Sequence, residues 1–126
     1  MIGIDIIETK RIKRLIKNKR FIERVFSIEE IKYCENKKNR AQHYAARFAA
    51  KEAIWKALAG RYSIPLKDIV IKNIQNGKPE VFLKDKKLKN FKIEVSLSHT
   101  KEYAVAVAIC FSLLPNAGLG RLGNKK

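Results

Sequence analysis

The chain has 126 residues, 46% of them hydrophobic, which fits one domain with its own core and leaves little room for a second. Its 28 Lys and Arg against 12 Asp and Glu give a formal net charge of +16, so an anionic partner is expected: nucleic acid, a membrane surface, an acidic protein or a phosphate-rich cofactor. Cys34 and Cys110 lie far apart with no CxxC pair, which argues against a zinc or redox motif and for a reduced chain in the cytoplasm.

Ile2, Ile4 and Ile6 alternate with Gly3, Asp5 and Ile7, the pattern of an opening strand. This stretch is short, carries Asp5 and lacks a basic flank, so it is not a signal peptide. Residues 8–18 read as a basic helix with Ile12, Leu15 and Ile16 as its apolar stripe. Ser27 followed by Glu30 is a capping-box signature for a short helix over 28–34. A polar connector at 36–40 leads into a long alanine-rich helix over 41–59, which Gly60 stops. Ile69, Ile71 and Ile74 suggest a second strand, Asn76-Gly77 a turn and residues 81–83 a short strand, together a hairpin. After a charged excursion at 84–90, Ile93, Val95, Leu97 and His99 share one face of another strand. Thr100-Lys101-Glu102 turns the chain into a last strand over 103–111, with Ala104, Ala106, Ala108 and Cys110 on one face. Such a face of small side chains lets a helix approach closely. The longest apolar run, residues 103–114, is shorter than the ~20 residues a membrane helix needs. The expected fold is α+β: an antiparallel-rich sheet packed against helices, with one domain over 1–111 and a loose tail over 112–126.

Three places hold polar side chains in apolar settings. Asp5 lies inside an apolar strand, where a carboxylate must be paired, hydrogen-bonded or metal-bound; a helix cap or a salt bridge to an arginine would also satisfy it. On the long helix, at about 100° per residue, Glu52 and Lys56 fall in an arc with Phe48, Ala45 and Ala49. A solvated Glu-Lys pair at i, i+4 would sit among polar residues and add only about 0.3–0.5 kcal/mol. His99 ends an apolar strand face beside Ser98 and Thr100, as a structural histidine or a phosphate contact. There is no Ser-His-Asp arrangement and no Walker A loop, and two histidines cannot build a multi-histidine centre. A carboxylate site for a hard cation remains, since two carboxylates plus substrate phosphates is how magnesium is usually held.

Three segments together resemble the holo-acyl-carrier-protein synthase family, the small bacterial type of 4′-phosphopantetheinyl transferase. Gly3-Ile4-Asp5 with Arg11-Ile12 resembles its opening G-x-D…R-I motif. Residues 48–57, FAAKEAIWKA, closely resemble its F-A-x-K-E-A-x-x-K-A helix. Ser96-Leu97-Ser98-His99-Thr100 with Tyr103-Ala104 resembles its closing S-x-S/T-H-T…Y-A motif, and Asn76-Gly77-Lys78-Pro79 matches a turn common in the family. The resemblance implies that this chain carries phosphopantetheine from coenzyme A to a serine of an acidic acyl carrier protein, for fatty acid biosynthesis. It implies Asp5 and Glu52 as magnesium ligands and Lys56 as a phosphate contact, the three forming the catalytic group. It further implies cofactor contacts at Arg47, Gly77, Lys78, Pro79, His99 and Thr100, and a homotrimer with sites between subunits.

Residues 8–40 hold 12 Lys and Arg against 5 acids, and a basic helix bearing Arg11, Arg14 and Lys17 suits an acidic carrier protein; Arg11 and Arg14 are the expected docking residues. A nucleic-acid-binding module would also explain the charge, but it leaves Glu52 and Lys56 unexplained and lacks an RNP-type motif. A non-catalytic oligomer with Asp5, Glu52 and Lys56 as an ion network is the third reading. Neither nucleic acid nor membrane is the expected partner.

Overall fold

The structure, a computed structural model, describes residues 1–59, 61–73 and 77–113. Strand β1 (Ile2–Glu8) leads into α1 (Thr9–Leu15), α2 (Lys19–Val25), α3 (Ile28–Glu35) and the long α4 (Arg40–Leu58). After a 3-10 turn at Leu66–Asp68 come β2 (Ile69–Asn73), β3 (Pro79–Leu83), β4 (Phe91–His99) and β5 (Tyr103–Ser112). All pairings are antiparallel. They form two sheets rather than the single sheet expected: one of order β1-β5-β4 and a separate β2-β3 hairpin.

The helix α4 is the axis of the fold. One side lies on β1 and β5, where Ala45, Ala49, Ala53 and Ala57 meet Ala104, Ala106, Ala108 and Cys110, all buried. Small side chains on both surfaces allow this approach, as the alternation in β5 predicts. The opposite side is covered by an aromatic cluster: Phe26 stacks near Tyr44 at 4.8 Å, and Phe21 touches both Phe26 and Phe48. The basic segment predicted as one helix over 8–18 ends at Leu15. A separate α2, absent from the sequence reading, begins after Asn18, whose side chain accepts from the Arg20 amide at 2.9 Å. The capping box at Ser27 forms as expected, with Glu30 Oε1 accepting from the Ser27 amide at 2.8 Å and Ser27 Oγ from the Glu30 amide at 3.2 Å.

The alternation in β1 runs against the usual sense. Ile2, Ile4 and Ile6 face outward, more than 60% exposed, while Gly3, Asp5 and Ile7 face α4. On the same outer surface β5 carries Tyr103, Ile109 and Phe111, each also exposed. Of the tail expected at 112–126, Ser112 completes β5 and the Leu113 amide bonds to the Asn90 carbonyl at 2.7 Å. Residues 114–126 lie outside the described residues, as do Gly60, the expected helix stop, and Ile74 and Asn76 of the expected hairpin. Both cysteines are buried and free.

Candidate active site

Gly3 sets how Asp5 meets α4. A Cβ built on Gly3 would overlap the Ala53 carbonyl oxygen and lie 2.7 Å from the Ala57 nitrogen, so only glycine permits this contact. Two residues further along the same face, Asp5 comes opposite α4 where Glu52 and Lys56 project. Lys56 Nζ donates to Asp5 Oδ1 at 3.1 Å and to the Ile4 carbonyl at 3.1 Å. Asp5 Oδ2 is buried and has no hydrogen-bond partner. Burial, and then the Asp5 charge, push the Glu52 carboxyl above its ordinary value; Lys56 and Arg11 oppose this. A bare buried carboxylate oxygen beside a second carboxylate that resists ionising is the arrangement a hard cation would relieve. Among the described residues no group of three His, Cys, Asp or Glu could hold a metal. A cation at this place would have two carboxylates from the chain, Asp5 and Glu52.

The helix-wheel expectation for Lys56 needs correction. Its side chain is half exposed, and it pairs with Asp5 rather than sitting in a buried arc with Glu52. Trp55 is 39% exposed too. α1 packs against α4, and beside the half-buried Asp5 and Glu52 the side chains of Trp55 and Lys56 stay exposed.

Arg47 and His99 belong to a different cluster. At about 100° per residue, Arg47 lies roughly 140° from Glu52 around α4. Its guanidinium is 4.2 Å from the centroid of the Tyr33 ring, and Lys37 Nζ is 4.6 Å from the same centroid. His43 meets that ring edge-on at 5.6 Å. Asn73 Nδ2 donates to Tyr33 Oη at 3.3 Å, and Asn73 pairs in the hairpin with Pro79. The turn residues Gly77, Lys78 and Pro79 thus approach this end of the molecule, Gly77 with φ +81°, a conformation that favours glycine. Thr100 Oγ1 accepts from the Glu102 and Tyr103 amides at 3.2 and 3.1 Å. That pair of bonds holds the β4–β5 turn and leaves the hydroxyl proton to donate. Asp5 and Glu52 therefore sit at the β1 edge of the sheet, Arg47 and His99 at the β4 edge. Adjacent strands lie about 5 Å apart, so β5 and the overlying α4 separate the two groups.

Among the described residues one buried ion pair was not expected from the sequence. Lys51 and Glu30 are fully buried and meet at 2.7 Å. Lys51 also donates to the carbonyls of Leu66 and Ile69, and Glu30 Oε2 accepts from the Ile71 amide at 2.7 Å. Every polar atom of the pair is satisfied, and it ties α3, α4 and β2 together. Lys51 shares its helix face with Tyr44, Ile54 and Leu58, and that apolar company was the available signal. Arg11 and Arg14 are exposed on α1, with Arg11 close enough to Glu52 to affect its carboxyl. Lys17, expected on the same helix, lies beyond the end of α1 at Leu15. It lines a cavity of about 690 Å³ with Lys10, Lys13, Lys38, Arg40 and Lys101, away from Asp5 and Glu52. Among the described residues no helix is long and apolar enough to cross a membrane.

The family model of the 4′-phosphopantetheinyl transferase superfamily matches residues 1–108. A holo-[acyl-carrier-protein] synthase of Clostridium kluyveri is 44% identical over 116 residues, covering 86% of this chain and 87% of that protein. The crystal structure of a holo-(acyl-carrier-protein) synthase from Bacillus anthracis, in complex with CoA (3′,5′-ADP), superposes with a TM-score of 0.77 at 34% identity. It covers 88% of this chain and 95% of that one. The Helicobacter pylori holo-[acyl-carrier-protein] synthase in complex with coenzyme A also gives 0.77, at 33% identity, covering 88% and 100%.

Proposed function

The chain belongs to the 4′-phosphopantetheinyl transferase superfamily, and from that premise we propose that it moves the 4′-phosphopantetheine group of coenzyme A onto a serine of an apo-acyl carrier protein. The other product is 3′,5′-ADP. The reaction is magnesium-dependent, takes place in the cytoplasm and serves fatty acid biosynthesis. The observation that carries the magnesium reading is Asp5 Oδ2, buried and unpartnered beside the Glu52 carboxyl.

Asp5 and Glu52 would hold the ion, which when bound supplies positive charge to the cofactor's diphosphate and to the departing oxygen. Lys56 adds a second positive charge. Its ammonium is held by Asp5 and the Ile4 carbonyl while half its side chain faces solvent, so it can reach phosphate oxygens. The carrier-protein serine oxygen bonds to the phosphorus bearing the pantetheine arm, and the bond from that phosphorus to the oxygen of 3′,5′-ADP breaks. The serine proton passes to Glu52 or to a water beside it. Phosphoryl transfer depends mainly on positioning and charge neutralisation, and these are what the three side chains provide.

Arg47 and His99, with Thr100 and the turn at Gly77, Lys78 and Pro79, would receive the nucleotide and its 3′-phosphate. Because they flank the opposite edge of the sheet from Asp5 and Glu52, a complete site joins the β1 edge of one subunit to the β4 edge of another. The exposed isoleucines of β1 and the outer side chains of β5 give this homotrimer an apolar surface to bury. The test is an intact-mass assay of apo-carrier protein with coenzyme A, with and without magnesium. A phosphopantetheine mass increase that needs the metal supports the proposal; no mass increase under either condition overturns it.

A further inference from the structure

Resting on the nucleotide reading just given, we infer that His43 is a proton-linked contact for a phosphate group of the nucleotide, held in the cluster of Arg47, Lys37 and His99. Arg47 is 4% exposed, its Nε is buried without a partner, and among the described residues its guanidinium makes no ion pair. Burying a cation without a counter-charge is costly, and the Tyr33 ring offsets only part of that cost. Lys37 adds a second cation above the same ring, and His43 closes its edge. The Asn73 bond to Tyr33 Oη fixes the ring that carries them. Cations from α4 and from the connector after α3 thus converge around one aromatic side chain, and a phosphate supplies what they lack.

His43 is the group whose charge can respond. The groups facing it are Tyr33 on α3, Lys37 on the connector, Arg47 on its own helix and His99 at the end of β4. None is a carboxylate. Burial first, then Arg47, Lys37 and His99, hold its imidazole below the ordinary histidine value. In the free protein near neutral pH it is therefore uncharged. A bound phosphate reverses the field, raises the imidazole and draws a proton onto it. Between the free and bound values the nucleotide binds with proton uptake, and its affinity weakens as pH rises, by up to about tenfold per pH unit for one proton. Below that window the proton is already present; above it, neither state holds one.

The experiment is calorimetric titration of the full-length protein with 3′,5′-ADP, from pH 5.5 to 8, in buffers of different ionisation enthalpy. The phosphate's own ionisation contributes to every protein alike, so the difference between proteins reports the histidine. The wild type is expected to take up more protons than either His43→Gln or His43→Phe, the latter keeping a ring against Tyr33. Both variants should lose most of the steepness of affinity with pH, and His99→Gln should retain it. Wild-type uptake matched by both His43 variants, or uptake lost only in His99→Gln, overturns the inference and leaves the nucleotide site standing. No binding of 3′,5′-ADP by the wild type at any pH overturns the inference together with the reading beneath it.

Discussion

Lys56 and Asp5 meet at 3.1 Å across the gap between α4 and β1, and the contact engages only one oxygen of the carboxylate. The other oxygen and the neighbouring Glu52 leave negative charge that Lys56 does not neutralise. Asp5→Asn and Glu52→Gln are each expected to cut transfer by about 100-fold or more, since metal charge at a diphosphate contributes several kcal/mol. The two should differ in stability. The folded Glu52 carboxyl is raised, so from its ordinary value up to the raised one the folded chain binds more protons than the unfolded chain. Stability then falls as pH rises through that interval. Glu52→Gln removes this loss and should melt no lower than wild type at neutral pH without divalent cations. Adding magnesium to protein already saturated with coenzyme A should raise the wild-type melting temperature further and leave both variants unchanged. Normal turnover of both at low magnesium would remove the two carboxylates from the mechanism.

Lys56→Ala should act on the cofactor rather than on the fold. The side chain is half exposed, and alanine is the better helix former. A lost charged contact to phosphate is worth roughly 1.5–3 kcal/mol, so coenzyme A binding or the transfer rate should fall about 10- to 100-fold. Calorimetry and steady-state kinetics on the same preparation separate the two effects. Unchanged values in both would make Lys56 merely a neutralising partner for Asp5.

Gly3→Ala tests how closely β1 must approach α4. The added Cβ meets helix backbone, the Ala53 carbonyl and the Ala57 nitrogen, which cannot swing aside as a side chain could. Overpacking of this kind costs about 1–3 kcal/mol and occasionally more, to be read from denaturant unfolding. Because Asp5 lies two residues along the displaced strand, activity should fall further than the lost stability explains. A variant with wild-type stability and turnover would show that the sheet edge can move freely.

The buried pair of Lys51 and Glu30 predicts a strongly non-additive pair of mutations. Lys51→Met leaves the Glu30 charge buried and the Leu66 and Ile69 carbonyls without their donor. Breaking a buried pair in this way costs about 3–5 kcal/mol. Adding Glu30→Gln removes the orphaned charge while keeping an acceptor for one of the amides, so the double variant should be more stable than Lys51→Met alone. Strict additivity in denaturant titrations would contradict the pairing.

Much of this was legible in the sequence because local rules and tertiary packing agree there. The alanine alternation in β5, the Ser27 capping box and the length of α4 all read correctly, since each depends on a short-range pattern. What failed depended on which neighbour covers which face. The wheel singled out Glu52 and Lys56 but passed over Lys51, although Tyr44, Ile54 and Leu58 gave Lys51 the more apolar surroundings. The isoleucines of β1 were no guide to the buried face either. They turn outward, and the small and charged residues between them face the helix, because only glycine fits against the Ala53 carbonyl and Asp5 pairs there with Lys56. The α2 helix carries only Phe21, Ile22 and Val25 as apolar residues in its seven, too short a span for a clear period.

Arg14 and Arg11 on α1 should differ in what their charges reach. Both are exposed, but Arg11 influences the Glu52 carboxyl and Arg14 does not figure among the groups that do. If the helix docks an acidic carrier protein, Arg14→Glu should raise the carrier protein's Michaelis constant sharply while coenzyme A binding barely changes. Arg11→Glu should harm both, since it also places a negative charge near Asp5 and Glu52. Lys17 faces the cavity shared with Lys10, Lys13, Lys38, Arg40 and Lys101, so Lys17→Glu should weaken docking less than Arg14→Glu unless the carrier protein reaches into that cavity. Wild-type transfer should also weaken with added salt, because screening confines exposed charges to a range of about 10 Å at 0.1 M. The measurement is steady-state kinetics with each substrate varied in turn, at two ionic strengths, for all four proteins. An unchanged carrier-protein constant in Arg14→Glu would make the arginine part of a solvated face. Tight, salt-sensitive binding of the wild type to nucleic acid without any transfer activity would instead assign the net charge to a nucleic-acid partner.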